Sequence, residues 1–126
     1  LVITFIFKLE ATELWVSPQG NDTNKGTKES PFATLESAIR KARELRRLND
    51  VGIKGGINIL VENGTYLLEQ PLFIRPEDAG TPESPTIIRA APNAYPVISG
   101  GIQLKNNWQK ANDRNTDLSR IAKGQV

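Results

Sequence analysis

Apolar side chains recur at Leu35, Ala38, Ile39, Ala42 and Leu45, and these three- and four-residue spacings predict an amphipathic helix running to about Leu48. Thr34 or Ser30 is its N-cap, Pro31 suits the approach, and Glu36 complements the positive end of the helix dipole. The opposite face carries Arg40, Lys41, Arg43, Glu44 and Arg47, with Arg46 at its margin. Such a face reads as a solvated surface. The competing reading, a nucleic-acid patch, has no aromatic or Gly-rich recognition loop beside it. Before the helix, residues 14–17 form a short strand that Pro18 ends, and residues 20–27 follow as a turn-rich stretch. After Gly52, Gly55 and Gly56 the period drops to two. Ile57, Ile59 and Val61 point one way while Asn58, Leu60 and Glu62 point the other, and Asn63-Gly64 makes a turn. Short apolar bursts come next: Tyr66, Leu67 and Leu68; Leu72, Phe73 and Ile74; Ile87 and Ile88; Val97 and Ile98; Ile102 and Leu104. No second helix is predicted.

The bursts centre near Ile59, Phe73, Ile87 and Ile98, so alternate bursts are separated by about one turn of a solenoid. A meander of hairpins would need tight two-residue turns between longer strands, and Asn63-Gly64 could supply one. The other connections contain Pro76, Pro82, Pro85, Pro92 and Pro96, which suit corners between faces rather than reversals. The fold class expected is therefore mainly β: the first coils of a parallel β-helix, with one N-terminal amphipathic capping helix. A stack of coils exposes its first coil, and the stripe of Leu35, Ile39, Ala42 and Leu45 is expected to lie across that open end.

Composition narrows the chemistry. The 126 residues contain no Cys, His or Met, and 16 basic against 14 acidic residues give a formal charge of +2. Absence of Cys and His excludes a disulfide framework, a thiolate zinc site, a Ser-His-Asp triad and a histidine base within these residues. With 38% hydrophobic and 24% charged residues the chain is too apolar to be disordered and too polar for a membrane protein. Residues 1–7 are an apolar run too short to span a bilayer. They read as the surviving core of a signal peptide cleaved near Ala11, although Lys8, Leu9 and Glu10 fit such a site poorly; the alternative is an edge strand. A start at Leu1 and a polar end lead to the expectation of a piece of a longer chain. The resulting divisions are residues 1–11, a truncated signal peptide; 12–56, the strand, turn-rich loop and capping helix; 57–108, the first coils; and 109–126, a polar segment leading onward.

Trp15-Val16-Ser17-Pro18-Gln19-Gly20-Asn21-Asp22, Gly26-Thr27, Ser30-Pro31-Phe32-Ala33-Thr34-Leu35 and Val61-Glu62-Asn63-Gly64-Thr65-Tyr66 together resemble the N-terminal part of right-handed parallel β-helix proteins of the pectate-lyase-like superfamily. Pro76-Glu77-Asp78-Ala79-Gly80-Thr81, Arg89-Ala90-Ala91-Pro92 and Pro96-Val97-Ile98-Ser99-Gly100-Gly101, ending near Trp108, look like the same group, with Ala79 standing where the family often has Ser. Within it the chain is most similar to large carbohydrate-active enzymes, including β-helical glycoside hydrolases. The resemblance implies catalytic groups on later coils, so no catalytic, metal or cofactor-binding residue is carried onto this sequence. It also implies a secreted, periplasmic or cell-surface protein whose partner is a polysaccharide or oligosaccharide met through downstream coils, with no nucleic acid and no membrane span.

Glycosidic hydrolysis needs two carboxyl groups across the scissile bond. The candidates here are Glu62, Glu69, Glu77, Asp78 and Glu83, all of which also read as solvated turn acids or caps. A lyase would need Lys54, Arg75 or Arg89 as base beside an acidic calcium cluster, and no such cluster is visible; Asp22 alone carries too little charge for calcium. Trp15, Tyr66, Phe73, Tyr95 and Trp108 are candidates for stacking on sugars, with core burial favoured for Trp15 and Tyr66. Asn21-Asp22-Thr23 and Asn63-Gly64-Thr65 match the glycosylation sequon but are also fully explained as turns. The expected function is the capping part of a polysaccharide-degrading glycoside hydrolase, inactive by itself. The alternatives are a non-catalytic glycan-binding or spacer protein and a polysaccharide lyase.

Overall fold

The computed structural model describes residues 10–102 and Leu104. Strands β1 (Thr12–Val16), β2 (Ile57–Val61) and β4 (Thr86–Ala90) form one sheet in the order β1-β2-β4, and β3 (Thr65–Leu67) pairs with β5 (Val97–Ser99) in a second. Every pairing among these strands is parallel. The registers place like on like: Leu14 opposite Ile59, Ile59 opposite Ile88, and Val16 opposite Val61. Asn63-Gly64 is thus a corner between two sheets, not a hairpin, because β2 does not pair with β3. Gly64 turns that corner at φ 144°, and a Cβ there would run into the ring of Pro18.

Alternation decides which side chains are inside. Leu14 and Val16 of β1 and Ile57, Ile59 and Val61 of β2 face inward and are buried, together with Tyr66 of β3. Against them lies α1 (Leu35–Arg47), whose Leu35, Ala38, Ile39 and Ala42 complete the same cluster while Leu45 packs at its margin. The expected stripe is therefore the buried one. Thr34 is the N-cap, its Oγ1 accepting from the Ser37 N–H at 3.2 Å. The helix ends at Leu48, whose N–H bonds the carbonyl of Glu44. Among the described residues no helix is long and apolar enough to cross a membrane.

Some expected bursts differ from the observed elements. β1 starts two residues before the expected Leu14 because the Thr12 N–H bonds the Gly56 carbonyl and draws the strand backward along β2. Leu72, Phe73 and Ile74 form no strand. Pro71 removes a donor on one side and Pro76 opens a 3₁₀ turn (Pro76–Asp78) on the other, leaving Phe73 71% and Ile74 61% exposed while Leu72 alone packs on the core. Ile102 and Leu104 likewise lie outside any strand and are exposed. Leu60, expected on the face opposite Ile59 and Val61, does lie there and is buried against Trp15 and Ala91. Trp108, most of the expected leader and the polar segment 109–126 lie outside the described residues.

Ile39 is 4% exposed and touches the inward faces of both first strands' cluster. Replacing Ile39 by Asp is expected to cost about 3–5 kcal/mol, as an unpaired buried charge does, whereas Ile39→Val should cost about 0.5–1.5 kcal/mol. Urea denaturation of the three proteins followed by circular dichroism checks the order, and equal midpoints would contradict it.

Candidate functional site

The outer face of the three-stranded sheet is the surface on which substrate chemistry would be sought. Trp15, Leu60 and Arg89 occupy one row across it. The Trp15 ring is covered rather than presented: the Lys28 ammonium stands 5.2 Å from its centroid, its Nε1–H donates to Glu13 Oε2 at 3.1 Å, and Leu60, Ala91 and Ala94 pack around it. Beside it runs a groove of about 490 Å³ lined by Gln19, Lys28, Glu62, Asn63 and Pro92. Glu62 is the one carboxylate among those lining residues, so the groove lacks the acid pair that glycosidic cleavage requires. Phe73 and Tyr95, the other aromatic candidates described, are exposed; neither ring lines that groove, although the Tyr95 N–H bonds Asn63 Oδ1 at its rim at 2.6 Å.

The remaining acids are spent on structure or open to solvent. Glu69 and Glu83 are exposed. Glu77 is exposed and lies 3.8 Å from Arg75, while its neighbour Asp78 turns inward and is buried. Arg43 holds Asp78 with two parallel bonds of 2.7 Å, from Nε to Oδ1 and from Nη2 to Oδ2, and the Arg75 N–H adds a third at 2.8 Å. The Arg43 guanidinium, helped by that N–H, keeps the Asp78 carboxyl below the usual carboxylate range despite the opposing effect of burial.

Asp22 is also committed. Its Oδ1 accepts from the Ala33 and Thr34 N–H groups, each at 2.9 Å, and its Oδ2 accepts from the Thr34 hydroxyl at 2.9 Å. Burial raises its pKa, yet these donors outweigh burial and leave it below normal. Asp22 is thus a clamp between the turn-rich loop and the start of α1, which explains its place in the sequence without calcium. Of the proposed lyase bases, Lys54, Arg75 and Arg89 are all exposed and lie on separate elements.

The cationic face of α1 is only partly the solvated surface expected of it. Besides Arg43, Arg46 donates from Nε and Nη2 to Thr86 Oγ1 at 3.0 and 2.7 Å and from Nη2 to the Ser84 carbonyl at 2.8 Å. Partners 35 to 40 residues away leave no local periodicity in the sequence, so these ties were not readable there. Tyr66 is a further structural group: its hydroxyl sits 3.1 Å from the Val16 carbonyl and 3.0 Å from the Glu62 carbonyl. Burial, with a contribution from the charge on Glu62, pushes its pKa up to about 12.

No protein-family model matches the chain. Over 107 residues it is 34% identical to the uncharacterized protein YwoF of Bacillus subtilis (strain 168), a match covering 79% of this chain and 20% of that protein. Over 104 residues it is 30% identical to pectate lyase L of Thermoclostridium stercorarium, covering 79% of this chain and 7% of the relative. A solved structure of a glycoside hydrolase superimposes with a TM-score of 0.75 and 55% identity, over 80% of this chain and 17% of that one. The chain fits a segment of a pectate-lyase-like protein. It spans a fifth or less of the length of each of these proteins.

The corner containing Ala79 is held by backbone bonds and by Asp78. The Ala79 carbonyl accepts from the Thr86 N–H at 2.8 Å, Asp78 bonds the Arg75 N–H, and Gly80 adopts φ 81°, where a Cβ would meet the Arg46 guanidinium.

Two pH effects follow. Asp78, with a lowered folded pKa, contributes stability that is present above the ordinary carboxylate pKa of about 3.9 and lost as pH falls below it. Asp78→Asn should lower stability at neutral pH and flatten its acid dependence, as read by denaturant titrations at stepped pH; an unchanged acid limb would rule this out. Tyr66, with a raised folded pKa, contributes stability that is full below pH 10.0 and declines as pH rises toward about 12. Alkaline denaturation of Tyr66→Phe should lack that decline, and retention of it would assign the effect to another group.

Proposed function

We propose that this segment opens a longer, exported, carbohydrate-active protein of right-handed parallel β-helix fold, and that the whole protein is a polysaccharide-degrading glycoside hydrolase. The observation that carries the reading is the 55% identity to a glycoside hydrolase whose structure superimposes at a TM-score of 0.75. In this reading β2 and β3 belong to one coil and β4 and β5 to the next, which agrees with their parallel registers and with the right-handedness of nearly all parallel crossovers. α1 is then the lid of the first coil, supported by its packing on the inward side of β1, an edge strand. The apolar run at residues 1–7 supports export. Substrate would meet catalytic carboxylates on coils beyond this segment, since the described acids are exposed singly or used as clamps.

A lyase is the second reading, favoured by the 30% identity to pectate lyase L. The two differ in product: hydrolysis adds water across the glycosidic bond, whereas elimination leaves a double bond in the new non-reducing sugar. The full-length protein should release reducing ends from a polysaccharide without ultraviolet absorbance from an unsaturated product, and residues 12–126 alone should release none. Unsaturated product would select the lyase. Binding of glycan with neither product would select a non-catalytic surface protein.

A further inference from the structure

The outward face of α1 is unevenly used. Arg43 and Arg46 are tied to the segment that follows β3, and Lys41 pairs with Glu44 at 3.1 Å. Arg40, Arg47 and, from the turn-rich loop, Lys25 are exposed, and all three line one open hollow of about 620 Å³ between that loop and the helix. Two acids share the hollow, and both are already engaged, Asp22 by the Ala33 and Thr34 donors and Glu44 by Lys41. Among the described residues none of the three exposed cations has a carboxylate at ion-pair distance. The hollow is therefore electropositive, with Arg40 fixed at its wall by a 3.1 Å bond to Ser37 Oγ.

The layout suits a chain of charges better than a single small anion. Arg40 and Arg47 lie about two turns apart on one helix face, about 10 Å along the axis, so they do not converge on one point. No exposed aromatic side chain lines the hollow; Phe32, its one ring, is buried in the core, which leaves no platform for stacked bases. We propose that this hollow is a second, non-catalytic glycan-binding site that holds an acidic polysaccharide, bearing carboxylate or phosphate groups along its length, against the helix end of the protein. The proposal rests on the carbohydrate-active reading but not on the reaction performed downstream. It gives the protein a point of attachment to an anionic matrix separate from the face of the parallel sheet.

Titration of the 126-residue chain with polygalacturonate and with poly(glycerol phosphate), against neutral dextran as control, tests it. Binding of at least one acidic polymer is expected, weakening as salt rises from about 0.01 M to 0.15 M and the screening length contracts from about 30 Å to 8 Å. The combined variant Lys25→Ala, Arg40→Ala, Arg47→Ala should bind about tenfold more weakly with an unchanged thermal midpoint, since three exposed charges of a few tenths of a kcal/mol each make up that factor. The charge-preserving variant Lys25→Arg, Arg40→Lys, Arg47→Lys should restore binding. Equal binding by wild type and the alanine variant, equal binding of dextran, or tighter binding of a single-stranded oligonucleotide would overturn the proposal. Each of those results could coexist with glycosidase activity in the full-length protein, so failure here is distinguishable from failure of the functional reading.

Discussion

A parallel sheet stacks like side chains on like, and among the described strands β1 is an edge row with no strand on its far side. Leu14 and Val16 stand in that edge row, with Ile59 and Val61 in the next, and all four would be half-wetted if the inner side of β1 were left open. The stripe of Leu35, Ala38, Ile39 and Ala42 is buried in the same cluster as these four. Fully burying one such aliphatic side chain is worth about 1.5–3 kcal/mol, so the cluster shared by the helix and two strands dominates what holds these elements together. The only α-helix among the described residues lies in the chain between β1 and β2, the two strands whose inward side chains it packs against.

Polar ties then set the angle at which helix and strands meet. Arg43 on Asp78 and Arg46 on Ser84 and Thr86 reach from one side of α1 to the turn before β4 and to β4's first residue. The Ser84 hydroxyl donates onward to the Ile53 carbonyl, which joins that turn to the 3₁₀ turn (Val51–Gly55) after the helix. Asp22 performs the same service at the other end, bonding the start of α1 to the loop before it. Two charged residues of each sign are thereby removed from the pool available for chemistry, and the exposed cations of α1, Arg40 and Arg47, line one hollow.

Local patterns were legible because they follow from one element's own period. The helix stripe, the Thr34 cap and the alternation at residues 57–61 each follow from a spacing of three, four or two. The bursts at Leu72–Ile74 misled, since apolar content alone cannot tell a strand from a corner flanked by prolines. The burial of Leu60 and Asp78 was hidden for another reason: each depends on partners from distant segments, Trp15 and Ala91 for the one and Arg43 for the other. The absence of an acid pair in the Trp15 groove could be anticipated from the scatter of Glu62, Glu69, Glu77 and Glu83 over separate turns. That Lys28 would cover Trp15 could not.

The corner between β3 and β4 is long, carries Phe73 and Ile74 into solvent, and contributes little beyond Leu72 and Asp78 to the interior. Register is dictated by the ladder from Ile57 to Thr86 rather than by the path that connects them. Evolution is therefore at liberty to lengthen, shorten or redecorate this excursion while the ladder keeps its phase. Diversity among kindred proteins should gather there, and the strict repeat that a rigid periodic chain would show is blurred for the same reason.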